Sequence, residues 1–152
     1  MQMQVIDYYN CDQQEHWLKQ IKKCDWGAGQ FLYELLSKNK FKDAVGEKSK
    51  VLLLVNGDTL ISFCTYAEKD DIQPTVLTPW VGFVYTFPEY RGNRYVGKLF
   101  LEIEKLARDD KVNAIFISTN HIGLYEKYGC EFYQIMKDMD GEPSRVYRKW
   151  ID

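Results

Sequence analysis

A chain of 152 residues, 45% apolar and 28% charged, is long enough to bury a proper core and has the balance of an ordinary soluble globular protein. Its net charge of −2 argues against nucleic acid as the main partner, because such binders carry a strongly basic face. No apolar run reaches the length of a membrane span, and Met1-Gln2-Met3-Gln4-Val5 lacks the basic and apolar regions of a signal peptide, so no membrane contact and a cytoplasmic location are expected.

Val5-Ile6-Asp7-Tyr8-Tyr9 reads as a short first strand. Asp12 stands where it would cap a helix running to about Cys24, with Trp17, Leu18 and Ile21 on the inner face. Asp25-Trp26-Gly27-Ala28-Gly29 breaks that helix, and Phe31, Leu32, Leu35 and Leu36 make a second amphipathic one ending near Asn39. Trp26 and Phe31 pack this helix pair on the first reading and wall a substrate cleft on the second, since buried aromatics mostly serve cores. Val51 to Val55 and Thr59 to Tyr66 form a hairpin across Asn56-Gly57-Asp58, a strong short-range turn signal. Glu68 to Pro74 reads as a solvated polar loop; a carboxylate that takes a proton from an incoming amine is the alternative.

Trp80-Val81-Gly82-Phe83-Val84-Tyr85-Thr86 is an apolar, aromatic run that predicts a buried strand. Pro88 to Lys98 follows as a basic, glycine-containing loop, and Val96, Leu99, Phe100, Ile103, Leu106 and Ala107 then recur at helical spacing. A strand that turns through such a loop into a helix turns backbone N–H groups and partial positive charge outward, which suits a phosphorylated ligand. The bland alternative is a tight turn beside a solvated basic patch. Two familiar phosphate loops are absent: Lys98 is followed by Leu99 rather than Ser or Thr, and there is no Gly-x-Gly-x-x-Gly.

Val112 to Ser118 is a second buried strand, parallel to the first through a right-handed crossover. Asn120 to Tyr128 reads as a short helix stopped by Gly129, and Cys130 to Lys137 pairs with Ser144 to Trp150 around Asp140-Gly141-Glu142-Pro143. Cys11, Cys24, Cys64 and Cys130 form no Cys-x-x-Cys pair, and His16 and His121 are the only histidines, so reduced structural thiols and no metal site are expected. The order of elements predicts one mixed α/β domain over residues 1–152.

Three joined features over about residues 80–135 resemble the GNAT superfamily, the acyl-CoA-dependent N-acyltransferases. Val84-Tyr85-Thr86-Phe87-Pro88-Glu89-Tyr90-Arg91-Gly92 is similar to the family's central strand and the start of its pyrophosphate loop. The amphipathic helix and parallel strand follow in the expected order. Leu124-Tyr125-Glu126-Lys127-Tyr128-Gly129-Cys130-Glu131-Phe132 resembles the family's Leu-Tyr-Glu-Lys-x-Gly-Phe segment, with Cys130 where Phe is usual. The loop departs from the common Arg/Gln-x-x-Gly-x-Gly/Ala, because Arg94 and Val96 stand at the two small positions. Asn120 also lies nearer to Tyr125 than the family's CoA-contacting Asn.

The resemblance implies a GNAT-type fold, a central mixed β-sheet flanked by helices with a parallel strand pair around the CoA-binding loop and helix. It implies acetyl-CoA as acyl-donor co-substrate and no metal. Pantetheine would lie as a pseudo-strand along Val84, Tyr85 and Thr86, with a backbone N–H near Val84 or Tyr85 for the oxyanion. Arg91, Gly92, Asn93, Arg94, Tyr95, Val96 and Gly97 would hold the pyrophosphate, Asn120 would touch CoA, and Tyr125 would protonate the departing thiolate. The base stays open among Asp70, Asp71, Glu68, His121 and water. The acceptor is a small-molecule or peptide amine, and a homodimer is left open. Two other classes stand beside this one: a non-catalytic acyl-CoA-binding sensor or interaction module, suggested by Arg94, Val96 and the missing base, and a nucleotide-binding protein using the same loop.

Overall fold

Seven short apolar segments join one mixed sheet in the computed structural model, which describes residues 2–152. The strands are β1 (Gln4–Asp7), β2 (Lys50–Asn56), β3 (Thr59–Ala67), β4 (Trp80–Thr86), β5 (Ala114–Ser118), β6 (Glu131–Lys137) and β7 (Pro143–Trp150), in the spatial order β1-β2-β3-β4-β5-β7-β6. All neighbours run antiparallel except β4 and β5, the parallel pair expected from the crossover. Helices α1 (Gln14–Lys22), α2 (Gly27–Ser37), α3 (Phe41–Val45) and α4 (Val96–Asp109) complete the described elements, with single 3-10 turns between them.

Strand alternation sorts the core into two layers. Leu53, Phe63 and Tyr85 face one side, against Trp17 and Ile21 of α1 and Leu32 and Leu36 of α2. Leu52, Leu54, Ile61 and Val81 face the other, against Leu99, Phe100, Ile103 and Ala107 of α4. Both faces being covered explains why β2 reads as a continuous apolar run. Leu99 and Ile103 are fully buried, and each such side chain contributes about 1.5–3 kcal/mol. Among the described residues, no helix is long and apolar enough to cross a membrane.

Several local expectations change. Beyond Asp7 the chain leaves the sheet into a 3-10 turn, Tyr8–Asn10, because the Asp7 carboxylate accepts the Tyr9 N–H at 3.0 Å. Asp12 caps nothing: α1 starts after Gln13, and no side chain caps it. The expected break is narrower than Asp25 to Gly29, since α2 already begins at Gly27. Helix α3 was not legible as a helix, although Phe41 and Val45 are both buried at i, i+4 spacing. The segment from Asn120 contracts to one 3-10 turn, Tyr125–Tyr128, which ends where Gly129 takes φ +88°. The four cysteines are unpaired, and burial pushes the Cys64 thiol up and the Cys130 thiol up to about 11.

Candidate active site

The sheet opens where its parallel ladder stops. Strands β4 and β5 share only the pairs Trp80↔Phe116 and Val81↔Ile117. Immediately beyond, β4 spends three steps from Gly82 to Tyr85 where β3 spends two from Thr65 to Phe63, which is a β-bulge. Phe83 sits in it at φ +50°, a left-handed conformation that costs a non-glycine residue about 1–3 kcal/mol. The bulge turns β4 away from β5, and the β5-facing edge of β4 past Val81 has no strand partner.

Two cavities flank this gap. One of about 510 Å³ lies between the end of β4, the loop after it and Tyr125. The other, about 660 Å³, lies between α2, α3, the Asp70–Gln73 loop and the ends of β4 and β5. Trp26, Val84, His121 and Tyr125 line both, so the cavities open onto one another across the bulge.

The first cavity has the character of an anion site. Among the described residues, the amides of Gly92, Asn93, Arg94, Tyr95 and Val96 donate to no acceptor within the fold, and α4 begins at the same point, adding partial positive charge. Arg94, at the family's glycine position, keeps the left-handed backbone with φ +55°, at a cost of roughly 1–2 kcal/mol for a side-chain-bearing residue. Its guanidinium-bearing side chain lines the cavity wall.

Val84, Tyr85, Thr86, Arg91, Gly92, Arg94, Tyr95 and Val96 all line this cavity. Three expected residues do not. Asn93 ties the loop down, its Nδ2 donating to the Tyr90 carbonyl at 3.1 Å. Gly97 serves packing instead: a Cβ there would stand 3.4 Å from the Tyr128 ring, which stacks on Phe100 with centroids 5.3 Å apart. Asn120 lines the second cavity, its Oδ1 accepting the Arg145 N–H at 3.3 Å, because the turn holding Tyr125 starts too late to carry Asn120 to the donor side.

Arg91 is turned back on the strand. Its Nε donates to the Thr86 carbonyl at 2.8 Å, and its guanidinium lies 3.9 Å from the Asp25 carboxylate. The Tyr85 hydroxyl donates to the same Asp25 oxygen at 2.6 Å, while the Tyr85 ring stacks on Trp26 at 5.8 Å. That hydroxyl first, then the residue's own backbone N–H and last the Arg91 charge, hold the Asp25 carboxyl below the usual carboxylate range. Sequence reasoning missed Asp25, which it saw only as part of a helix break. Trp26 and Phe31 of the same region prove to be cleft walls.

Tyr125 is 6% exposed, with Phe100 edge-on at 6.2 Å, and burial pushes its phenol above the ordinary tyrosine range. Across the gap, the loop expected to be solvated turns inward. Ile72 is fully buried, and the Met139 N–H donates to the Asp71 carbonyl at 2.8 Å. A Cβ at Gly82 would overlap Asp70 Oδ1, so the Asp70 carboxyl occupies the space that this glycine leaves open. Burial first, and then the neighbouring Asp71 charge, push the Asp70 carboxyl well above its ordinary value. Asp71 rises too, through burial, with the Ser118 hydroxyl opposing. Glu68 lies outside this cavity, its Oε1 accepting the Lys48 N–H at 2.9 Å. A glycine inside an apolar strand marks close approach of another group, and Gly82 was the available signal.

The raised Asp70 value has a stability consequence with a definite sign. Unfolded, the carboxyl ionises near its ordinary value of about 3.9; folded, it resists ionisation, so the native state loses stability as pH climbs between the two values. Asp70→Asn removes that penalty. Its Tm relative to the unmutated protein is expected to rise from pH 4 to pH 8; a gap that is flat or shrinks over this range would refute the assignment.

Residues 30–133, more than half of the chain, match the model of the acetyltransferase (GNAT) domain. A search of curated proteins finds no significant match. Among solved structures the chain is similar to an acetyltransferase from Streptococcus agalactiae, at TM-score 0.66 and 20% identity with 98% of each chain covered. It is also similar to the aminoglycoside 6′-N-acetyltransferase from Enterococcus faecium, at TM-score 0.66 and 12% identity over 100% of this chain and 98% of that one. The PaiA N-acetyltransferase from Thermoplasma acidophilum, in complex with coenzyme A, gives TM-score 0.62 and 15% identity over 99% of both. These structural likenesses establish the shared fold, and with the domain match they make this chain a member of the GNAT superfamily of acyl-CoA N-acyltransferases.

Proposed function

We propose that residues 1–152 act as one N-acetyltransferase domain that moves an acetyl group from acetyl-CoA to a primary amine by direct attack. The observation that carries this reading is the meeting of the two cavities at Val84 and Tyr125, one wall for an anionic donor and one for an acceptor. The free amides from Gly92 to Val96, with Arg94, hold the diphosphate. The unpaired edge of β4 receives the extended pantetheine arm, as a sheet edge receives an added strand. The Val84 N–H stabilises charge developing on the thioester oxygen.

Tyr125 donates its proton to the departing sulfur. Burial makes the phenol a weaker acid, but a thiolate released into the same dry space is a stronger base for the same reason. The Asp70–Asp71 pair takes the proton that the acceptor ammonium sheds. Tyr125 and the pair line one cavity, so a single tetrahedral carbon within it can be served by both, the acid at the sulfur and the base at the nitrogen.

The test is release of free thiol from acetyl-CoA on addition of amines, with CoA affinity measured in parallel. Amine-dependent release is the expected result. Saturable CoA binding with no release across a broad amine panel would replace the transferase with a binding sensor, the reading that the crowded loop at Arg94 and Val96 favours. Stabilisation by ATP or NAD but not by CoA would remove both.

A further inference from the structure

Resting on the transferase reading, we infer that the acceptor is a small primary amine carried on an apolar, ring-sized body, an aralkylamine, rather than a polyhydroxylated or polycationic amine. Most of the surface that the second cavity presents is apolar. Phe31 and Leu35 of α2, Val45 of α3, Phe83 of the bulge and Met139 between β6 and β7 form the apolar part of the wall around its 660 Å³, beside the Asp70–Asp71 pair and residues 118–121. A sugar placed against that apolar part would give up water around its hydroxyls and find no partners there in return, which is penalised.

The aromatic pair at the wall is the sharper indication. Phe31 is 56% exposed although it belongs to an otherwise well-packed helix, and its ring faces Phe83 with centroids 6.3 Å apart. Phe83 reaches that position only through its left-handed backbone. Two rings in contact with each other and lining one cavity, one of them held there at the cost of local strain, form an aromatic wall on which a third apolar group packs.

Charge fixes the other end. The titratable side chains lining this cavity are Asp70, Asp71, His121 and Tyr125, and no Lys or Arg lines it. A cationic head is therefore drawn to the Asp70–Asp71 carboxyls, Asp70 being seated against Gly82, while the ring packs on the wall that Phe31 and Phe83 form. One cation on one apolar body matches both the carboxyl pair and the aromatic wall. A polyamine leaves its further charges against apolar wall, which is costly.

Two measurements separate this inference from the reading it rests on. Binding of 2-phenylethylamine and of 2-phenylethanol to the CoA complex is measured by calorimetry, with no turnover required. The amine is expected to bind about tenfold or more tightly than the alcohol, a charge-assisted contact being worth at least that factor. Phe31→Ala is expected to weaken the amine by roughly tenfold through lost ring contact. In the thiol-release assay, kcat/KM for 2-phenylethylamine is expected to exceed that for kanamycin, spermidine and a hydrophilic N-terminal peptide by about tenfold or more. Equal binding of amine and alcohol, an unaffected Phe31→Ala, or preference for any of the three competitors would overturn the aralkylamine assignment while leaving transfer intact. Selective binding of the amine without thiol release would uphold the cavity assignment and sink the transfer step instead.

Discussion

Tyr125→Phe is expected to lower turnover by about 10²–10⁴-fold, the usual contribution of a positioned general acid, with little change in CoA affinity. The substitution removes one oxygen from a side chain that is 6% exposed and held edge-on by Phe100, so the ring and its packing remain. Stability should change little, because the buried ring and its contact with Phe100 stay in place. The measurement is steady-state kinetics with a working amine, alongside a direct CoA titration. Unchanged turnover would take Tyr125 out of the mechanism; a parallel loss of CoA affinity would make it a binding residue. The pH dependence adds a second readout: the raised phenol keeps its proton through the neutral range, so the alkaline limb of the rate profile should lie above the ordinary tyrosine value.

Gly82→Ala is expected to damage both stability and activity through one added methyl. Its Cβ would overlap Asp70 Oδ1 and crowd the carboxyl carbon, so the carboxyl must leave its place against the strand. Overpacking of this kind costs about 1–3 kcal/mol, a fall in Tm of roughly 2–12 °C at this chain length. Because the displaced group is the carboxyl proposed to accept the amine proton, kcat/KM for the acceptor should fall with it. The double variant Gly82→Ala with Asp70→Gly tells the two effects apart: it should recover stability without recovering activity. If the single variant is neutral in both, the carboxyl does not rest on Gly82 in solution.

The sequence carried most of the architecture because periodicity is local. The hairpin from β2 to β3, the parallel pair around α4 and the left-handed stop at Gly129 all follow from apolar spacing and turn chemistry within a few residues. The resemblance around Arg91 and Tyr125 led to the two ends of the cleft. What stayed hidden depends on contacts distant in sequence. Asp70 reads as a loop carboxylate until β4 is seen passing beneath it, and Asp25 reads as helix punctuation until the Tyr85 hydroxyl reaches it across 60 positions. The bulge at Phe83 has no residue signature either, since nothing in an aromatic side chain announces a positive φ. Asp12 failed as a cap for a plainer reason: the helix simply starts two residues later.

The brevity of the β4–β5 ladder reaches beyond the site. With only Trp80↔Phe116 and Val81↔Ile117 to rivet them, β1 to β4 on one side and β5, β7 and β6 on the other are nearly separate sheets, sewn together by α4 and a two-stitch seam. Whatever lodges in the open part of that seam becomes a structural member of the molecule. Emptying it should therefore loosen the alignment of the two halves, and with it the spacing between phenol and carboxyls on which the chemistry turns.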